Sequence, residues 1–296
     1  MDVLLSRFGV SERRACRTVG QHRSTQRLIP PEMPSEDEAL TNWLKEFSIA
    51  HPRWGYKRAY SLAVDEGWIV NKKRVQRLWR VTGLKVPYRK RKKPYRGAST
   101  GAVSKMGVHQ PIRENVIWAL DFQFDQTRDT KVVKILNIID EYSREALASM
   151  ARRSISAAEV VTVLDDLLAE RGKPHFIRCD NGPEFIAEVV ASWACEVGTT
   201  LYFIAPGSPW LNGRVESFNA RLRDEFLNGE LFESVTEAQM LLDRWRHEYN
   251  HRRPHSSLGY LSPKSFLALP MGQQRTILTR SSRLHHWKGE RHRQAA

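Results

Sequence analysis

The strongest constraint on the fold is a change of hydrophobic period at Pro111. Beyond it, ENVIWALDFQFDQ alternates through Val116, Trp118, Leu120 and Phe122, with Asp121 facing the other way. KVVKILNIID and SREALASM repeat that period, so three successive strands in a meander are predicted. SAAEVVTVLDDLLAERG then reads as an amphipathic helix ending at Gly172, and HFIRC as a short buried strand ending at Asp180. EFIAEVVASWACEVG reads as a helix, TTLYFIA as a strand and NGRVESFNARLRDEF as a helix. The order β-β-β-α-β-α-β-α predicts an α/β fold, a mixed five-stranded sheet with helices packed on its faces. A last helix, TEAQMLLDRWRHEYN, leads into an aromatic and basic tail.

Before Pro111 the pattern is helical. Ser11 is placed to cap a short helix carrying Ala15, Cys16 and Val19 on one side. Pro30, Pro31 and Pro34 break the chain, and SEDEALTNWLKEFSIA follows with Ser35 as N-cap and Glu38 completing a capping box. A helix containing Tyr56, Tyr60 and Val64 runs to a break at Gly67, after which Asn71 caps KKRVQRLWRVTG. Val75, Leu78 and Trp79 turn this second helix towards a core and leave Lys72, Lys73, Arg74, Arg77 and Arg80 outward. Two readings fit: a helix-turn-helix presenting a basic helix to a duplex, or a plain helical hairpin with a solvated face. The tract Tyr88 to Arg96, with Arg89, Lys90, Arg91, Lys92 and Lys93, interleaves cations with two tyrosines and a proline and reads as a linker along phosphates. The expected division is 1–87 helical and helix-turn-helix-like, 88–110 basic linker, 111–230 α/β core and 231–296 C-terminal helix and tail.

Charge follows these segments. Residues 1–110 carry 23 Lys and Arg against 9 Asp and Glu, residues 111–230 carry 13 against 19, and residues 231–296 carry 11 against 5, for +14 over 296 residues. Basic flanks around an acidic centre suit a polyanion partner, because neutralising phosphates releases counterions. Three scattered cysteines without a CxxC pair give no disulfide framework and no cysteine-rich zinc site. No apolar run of membrane-spanning length and no signal-peptide pattern is visible, so a soluble, cytoplasmic, nucleoid-associated protein is expected, with no membrane partner.

Three acidic residues stand where folded chains expose reactive groups. Asp121 lies mid-strand among apolar neighbours, where an unpaired carboxylate is costly. Asp180 opens DNGPEF, whose Asn-Gly-Pro forces a turn at a sheet edge. Glu216 lies beside the stripe Val215, Phe218, Leu222 and Phe226, with Ala220 and Arg223 on its own side, and 35 residues separate it from Asp180. Converging carboxylates repel unless a cation sits between them, and oxygen-only ligation selects Mg²⁺ or Mn²⁺. Two such ions about 4 Å apart can promote an in-line phosphoryl displacement.

These residues and their 35-residue interval resemble the D,D-35-E core of retroviral integrases and bacterial insertion-sequence transposases. The segments WALDFQFD, IRCDNGPEF, SPWLNGRVESFN and YNHRRPHSSLGYLSP, with HPRWGYKRAY and SERRACRTVGQHRSTQR, look specifically like the second-frame (OrfB) transposase of the insertion-sequence family numbered three. The likeness covers nearly the whole chain and weakens after about Leu269. It implies a ribonuclease-H-like core in which Asp121, Asp180 and Glu216 bind divalent metal. It also implies that Arg223, seven residues after Glu216, contacts DNA at the element end. Asn181, Gly182, Pro209, Asn212 and Gly213 match positions that shape loops beside the carboxylates, Asn181 with a further possible DNA contact, and Arg253 and His255 match positions that suggest no mechanism beyond positioning.

The implied activity is metal-dependent cleavage at the 3′ end of the element and strand transfer into double-stranded DNA, through a circular intermediate. Terminal inverted repeats and target DNA are the implied partners. A multimer on DNA, and fusion to or help from an upstream-frame helix-turn-helix protein, are implied with them. The zinc module of retroviral integrases has no counterpart, since residues 1–110 offer His22, His51, His109 and Cys16 alone. Two other functions fit the same residues. A metal nuclease would hydrolyse DNA without joining it, and a DNA-binding protein or repressor would carry an inactive core.

Overall fold

A computed structural model describes residues 6–28, 34–87, 111–204 and 212–281. The chain forms two compact units, Met1–Lys45 and Glu46–Ala296. In the first, α1 (Glu12–Val19) is capped by Ser11, whose side chain accepts from the Arg14 amide, and is stopped by Gly20 in the left-handed conformation (φ 68°). Ala15 and Cys16 are buried as expected, but Val19 is exposed. Helix α2 (Arg23–Gln26) follows, and Arg27 just beyond it bonds Glu12 at the start of α1. Helix α3 (Ser35–Ala50) starts one residue earlier than the capping box requires: Ser35 is already helical, and the Pro34 carbonyl accepts from the Asp37 and Glu38 amides.

The second unit opens with the helical pair α4 (Tyr56–Asp65) and α5 (Lys72–Val81). The buried face of α4 is Ala59, Leu62 and Ala63, while Val64 is exposed; small residues let α5 approach closely. Asn71 caps α5 by accepting from Arg74, and Val75, Leu78 and Trp79 are buried as read from the sequence. Phe47, Trp54 and Trp79 form an aromatic cluster, with Phe47 6.2 Å from each of the other two rings.

The strands are β1 (Ile117–Gln126), β2 (Val132–Asp140), β3 (Ala146–Arg152), β4 (Phe176–Cys179) and β5 (Thr200–Phe203). They make one five-stranded sheet in the order β3-β2-β1-β4-β5, antiparallel across β3-β2-β1 and parallel across β1-β4-β5. This is the mixed α/β sheet that the resemblance implied. Helix α6 (Ala157–Arg171) carries the full capping box between Ser156 and Glu159. One expected helix is two: α7 (Pro183–Ile186) and α8 (Glu188–Val197) are separated by Ala187, which is extended (φ −61°, ψ 141°). Then come α9 (Gly213–Glu225) and α10 (Val235–His251).

Both sheet faces are covered. Trp118, Leu120, Leu136, Ile138 and Leu147 pack with Leu164, Phe185 and Trp193 from α6, α7 and α8. Ala119, Ile135, Ile139 and Ala151 pack with Phe218, Leu222, Leu242 and Tyr249 from α9 and α10. Each large side chain buried there contributes about 1.5–3 kcal/mol. The expected tail is in fact part of the core over much of its length. Leu258 and Phe266, the latter on α11 (Pro263–Leu267), are fully buried against Tyr142, and residues 271–281 are helical. The period of the short 256–267 stretch is too broken to show this in the sequence.

Candidate active site

Alternation along β1 decides which way Asp121 points. Ala119 lies on the face covered by α9 and α10, and Asp121, two residues on, shares that face. Parallel pairing puts Ala119 opposite Arg178, so Asp121 in the middle of β1 and Asp180 just past the end of β4, each two residues further, come level on neighbouring strands. Helix α9 lies across that face through Val215, Phe218 and Leu222, which brings Glu216 near enough for its charge to act on Asp121.

The electrostatics match this layout. Burial raises the Asp121 carboxyl, and the negative charges of Asp180 and Glu216 raise it further, to about 6. Two donors hold the charged form in place: the Phe122 amide bonds Oδ1 at 2.9 Å, and Asn219 Nδ2 bonds Oδ2 at 2.8 Å. Asp180 and Glu216 are exposed. Among the described residues no three His, Cys, Asp or Glu side chains converge closely enough to hold an ion as they stand. The donor set itself fits a hard divalent cation, because it is carboxylate oxygen throughout and its mutual repulsion is what such an ion relieves.

The turn after β4 is built for Asp180. The Gly182 amide donates to Asp180 Oδ1 at 3.0 Å, and a Cβ on Gly182 would lie 3.0 Å from that same oxygen. Asn181 Nδ2 donates to the Ile204 carbonyl at 2.8 Å, which ties the turn to the end of β5. Asn212 is buried and precedes α9, whereas Gly213 has open space around it, so packing explains the first and not the second. Pro209 lies outside the described residues.

The structure sends Arg223 back to β1. Its Nη1 bonds Asp125 Oδ2 at 3.0 Å and its Nη2 bonds the Phe124 carbonyl, with the side chain 39% exposed. Lys72, Lys73 and Arg77 are exposed on α5, Arg74 is half-buried, and Lys72 Nζ stands 5.7 Å from the Tyr260 ring. Arg89, Lys90, Arg91, Lys92 and Lys93, with the whole 88–110 linker, lie outside the described residues. Arg253 and His255 are buried, and burial among arginines holds His255 well below its ordinary pKa, hence neutral.

Sequence reading missed two contributors. Asn219 bonds Asp121 and accepts from Asn137 Nδ2 at 2.8 Å, and Asn137 in turn accepts from Ser149 Oγ at 2.8 Å. This chain of side chains runs from β3 to the carboxylates. The available signal was the position of Asn219 three residues after Glu216, on one helical face. The second is Lys134, which pairs with Glu184 and lies 3.9 Å from the Phe122 ring, while Phe122 stacks on Phe185 at 4.6 Å. These contacts anchor α7, and with it the turn after Asp180, to β1 and β2; they are long-range and left no local signature.

Comparisons with known proteins match the chain in three stretches. Residues 111–209 and 197–263 match two families described as integrase core domain, and residues 35–92 match an HTH-like domain. An uncharacterized 31.7 kDa protein of insertion element IS407 from Burkholderia multivorans is 35% identical over 268 residues, 90% of this chain and 94% of that one. An uncharacterized 39.2 kDa protein of insertion element IS476 from Xanthomonas euvesicatoria is 37% identical over 271 residues, 92% of this chain and 76% of that one. The transposase of insertion element IS904 from Lactococcus lactis is 27% identical over 249 residues, 80% and 96% of the two chains.

Proposed function

The chain belongs to the insertion-element transposases with an integrase core, and from that premise we propose that it cuts the 3′ ends of its element and joins them to DNA with Asp121, Asp180 and Glu216. The observation that supports this reading is that Asp121 on β1 comes level with Asp180 past the end of β4, and that the charges of Asp180 and of Glu216 on α9 both act on Asp121. Asp121, Asp180 and Glu216 would hold Mg²⁺ or Mn²⁺, two ions in the full site, which when bound supply charge neutralisation for an in-line phosphoryl displacement. In the first step a water oxygen bonds to phosphorus, its proton goes to solvent, the bond from phosphorus to the 3′-oxygen breaks, and that oxygen takes a proton from solvent to become a hydroxyl. In the second, that 3′-hydroxyl bonds to the phosphorus of another phosphodiester, loses its proton to solvent and displaces a second 3′-oxygen, which takes a proton from solvent to become a hydroxyl. No Ser, Cys or Tyr nucleophile takes part. Asn219 holds the Asp121 carboxylate in one rotamer, and the Gly182 amide does the same for Asp180.

Duplex DNA would be held by Lys72, Lys73, Arg74 and Arg77 on α5 and by the cationic tract Arg89, Lys90, Arg91, Lys92 and Lys93. The exposed edge of Arg223 would meet the element end, and Asn181, Gly182, Pro209, Asn212 and Gly213 would shape the loops around it. The division into 1–87, 88–110, 111–230 and 231–296 is proposed on this functional ground. Terminal inverted repeats and target DNA as substrates, action as a multimer at the nucleoid, and help from an upstream-frame helix-turn-helix protein belong to the same proposal. Among the described residues no helix is long and apolar enough to cross a membrane.

The test places the gene with its flanking DNA in a host lacking the element and amplifies joined ends with outward-facing primers. Junctions are expected from the wild type and none from Glu216→Gln, with fold and DNA binding intact. Junctions from the Glu216→Gln variant would reject the assignment. Hydrolysis products without junctions from the wild type would favour the nuclease.

A further inference from the structure

Two segments that resembled the family without any mechanism, HPRWGYKRAY and NHRRPHSSLGY, meet in the structure on one carboxylate. Glu225 is the last residue of α9, the helix that carries Glu216, and its side chain is 7% exposed. Trp54 Nε1 donates to Glu225 Oε2 at 3.1 Å, and Arg58 Nη1 donates to Oε1 at 3.3 Å. Arg253, itself 1% exposed, donates through Nε to Oε2 at 2.6 Å and through Nη2 to Oε1 at 2.5 Å. One buried anion therefore bridges two guanidiniums that would otherwise repel each other, and each of its oxygens accepts two bonds. Removing one partner of a buried pair leaves the other charge uncompensated, so the arrangement resists being pulled apart.

Weaker contacts run along the same seam. Arg53 lies 3.6 Å from Asp224, His51 lies 3.3 Å from Glu248 and stacks on Trp54, and Ser61 Oγ donates to the Tyr260 carbonyl at 2.9 Å. Every one of them joins the segment around α4 to α9, α10 or the turn that follows. Glu225 is nine residues from Glu216 on α9, about 13 Å along the axis. A helix is stiff over that distance, so whatever sets Glu225 also sets Glu216.

We propose that Glu225 is a positioning residue that locks the helix-turn-helix-like segment to the helix carrying Glu216, and thereby fixes which phosphodiester along bound DNA is cut. The inference rests on the transposase reading, since it assigns DNA holding to α5 and cutting to the triad. Its experiment uses the full chain and three variants. Trp54→Phe keeps the ring and removes one donor, Arg58→Met keeps the stem and removes another, and Glu225→Gln removes the charge.

The cut is mapped at nucleotide resolution on a labelled duplex carrying the element end. Wild type is expected to cut one phosphodiester, and Trp54→Phe, Arg58→Met and Glu225→Gln to spread cuts over neighbouring ones while the Kd for the duplex changes less than twofold. A single wild-type cut in all three variants would overturn the proposal, and so would a parallel loss of cutting and binding. Hydrogen exchange of residues 213–225, measured with and without the duplex, reads the lock without activity. Binding is expected to slow exchange there at least threefold in the wild type and to leave it unchanged in Trp54→Phe and Arg58→Met. Slowing of equal size in the variants, or none in the wild type, would overturn the lock. Absence of any cut by the wild type would count against the transposase reading alone.

Discussion

At Asp121 burial and the charges of Asp180 and Glu216 act together, and both favour the protonated carboxyl. Its pKa rises from 3.8 to about 6, and each unit corresponds to about 1.4 kcal/mol. A group that keeps its proton longer in the folded chain than in the unfolded one lowers stability as pH rises from about 4 to 6. Asp121→Asn is therefore expected to stabilise the metal-free protein by ~1–3 kcal/mol at pH 7 and by almost nothing near pH 4, while ending activity. Denaturant unfolding at the two pH values checks this, and equal stabilities at pH 7 would refute it. Asn219→Ala removes the donor to Asp121 Oδ2 and strands Asn137 Nδ2. Losing such a supporting contact usually weakens metal affinity about 10–100-fold. A rise of that order in the Mg²⁺ concentration for half-maximal cleavage is expected, with little change in DNA binding. Asp121 was readable as a misfit in its strand; Asn219 was not, because what it touches depends on where α9 lies.

On the scale of elements, the turn between β4 and α7 is held from both sides. Gly182 leaves room for Asp180 Oδ1, and the Lys134–Glu184 pair with the Phe122–Phe185 stack fixes the helix that follows. A methyl group on Gly182 would stand 3.0 Å from the Asp180 oxygen and 3.5 Å from the Phe185 ring. Gly182→Ala is expected to cut joining at least tenfold while changing Tm little, since the crowded atom is a surface carboxylate rather than the core. Junction yield and a melting curve decide it; full activity would show that Asp180 can turn aside freely. The sequence located this turn through Asn-Gly-Pro. It ran α7 and α8 together because both carry the same apolar period, and the break at Ala187 is made by packing of Phe185 under the sheet.

Across the whole molecule, the segment after α10 closes the second unit. Phe266 is fully buried, 5.6 Å from Tyr142, whose hydroxyl donates to Gln274 Oε1 at 2.9 Å. Phe266→Ala is expected to destabilise the protein by about 3–5 kcal/mol, as large-to-small changes at such sites do. A loss under about 1 kcal/mol in denaturant unfolding would mean that this segment is only loosely attached. Period and residue type alone determined the order of elements along the chain, the helix caps at Ser11 and Asn71, the basic face of α5 and the three acidic positions, because each is a local property of a short stretch. Tertiary structure alone decided that Asp121 meets Asn219, that Arg223 turns back to Asp125, and that Glu225 gathers Trp54, Arg58 and Arg253. Those meetings join residues 28 to 171 positions apart. They depend on register and helix placement, which the packing of both sheet faces sets and no local pattern encodes.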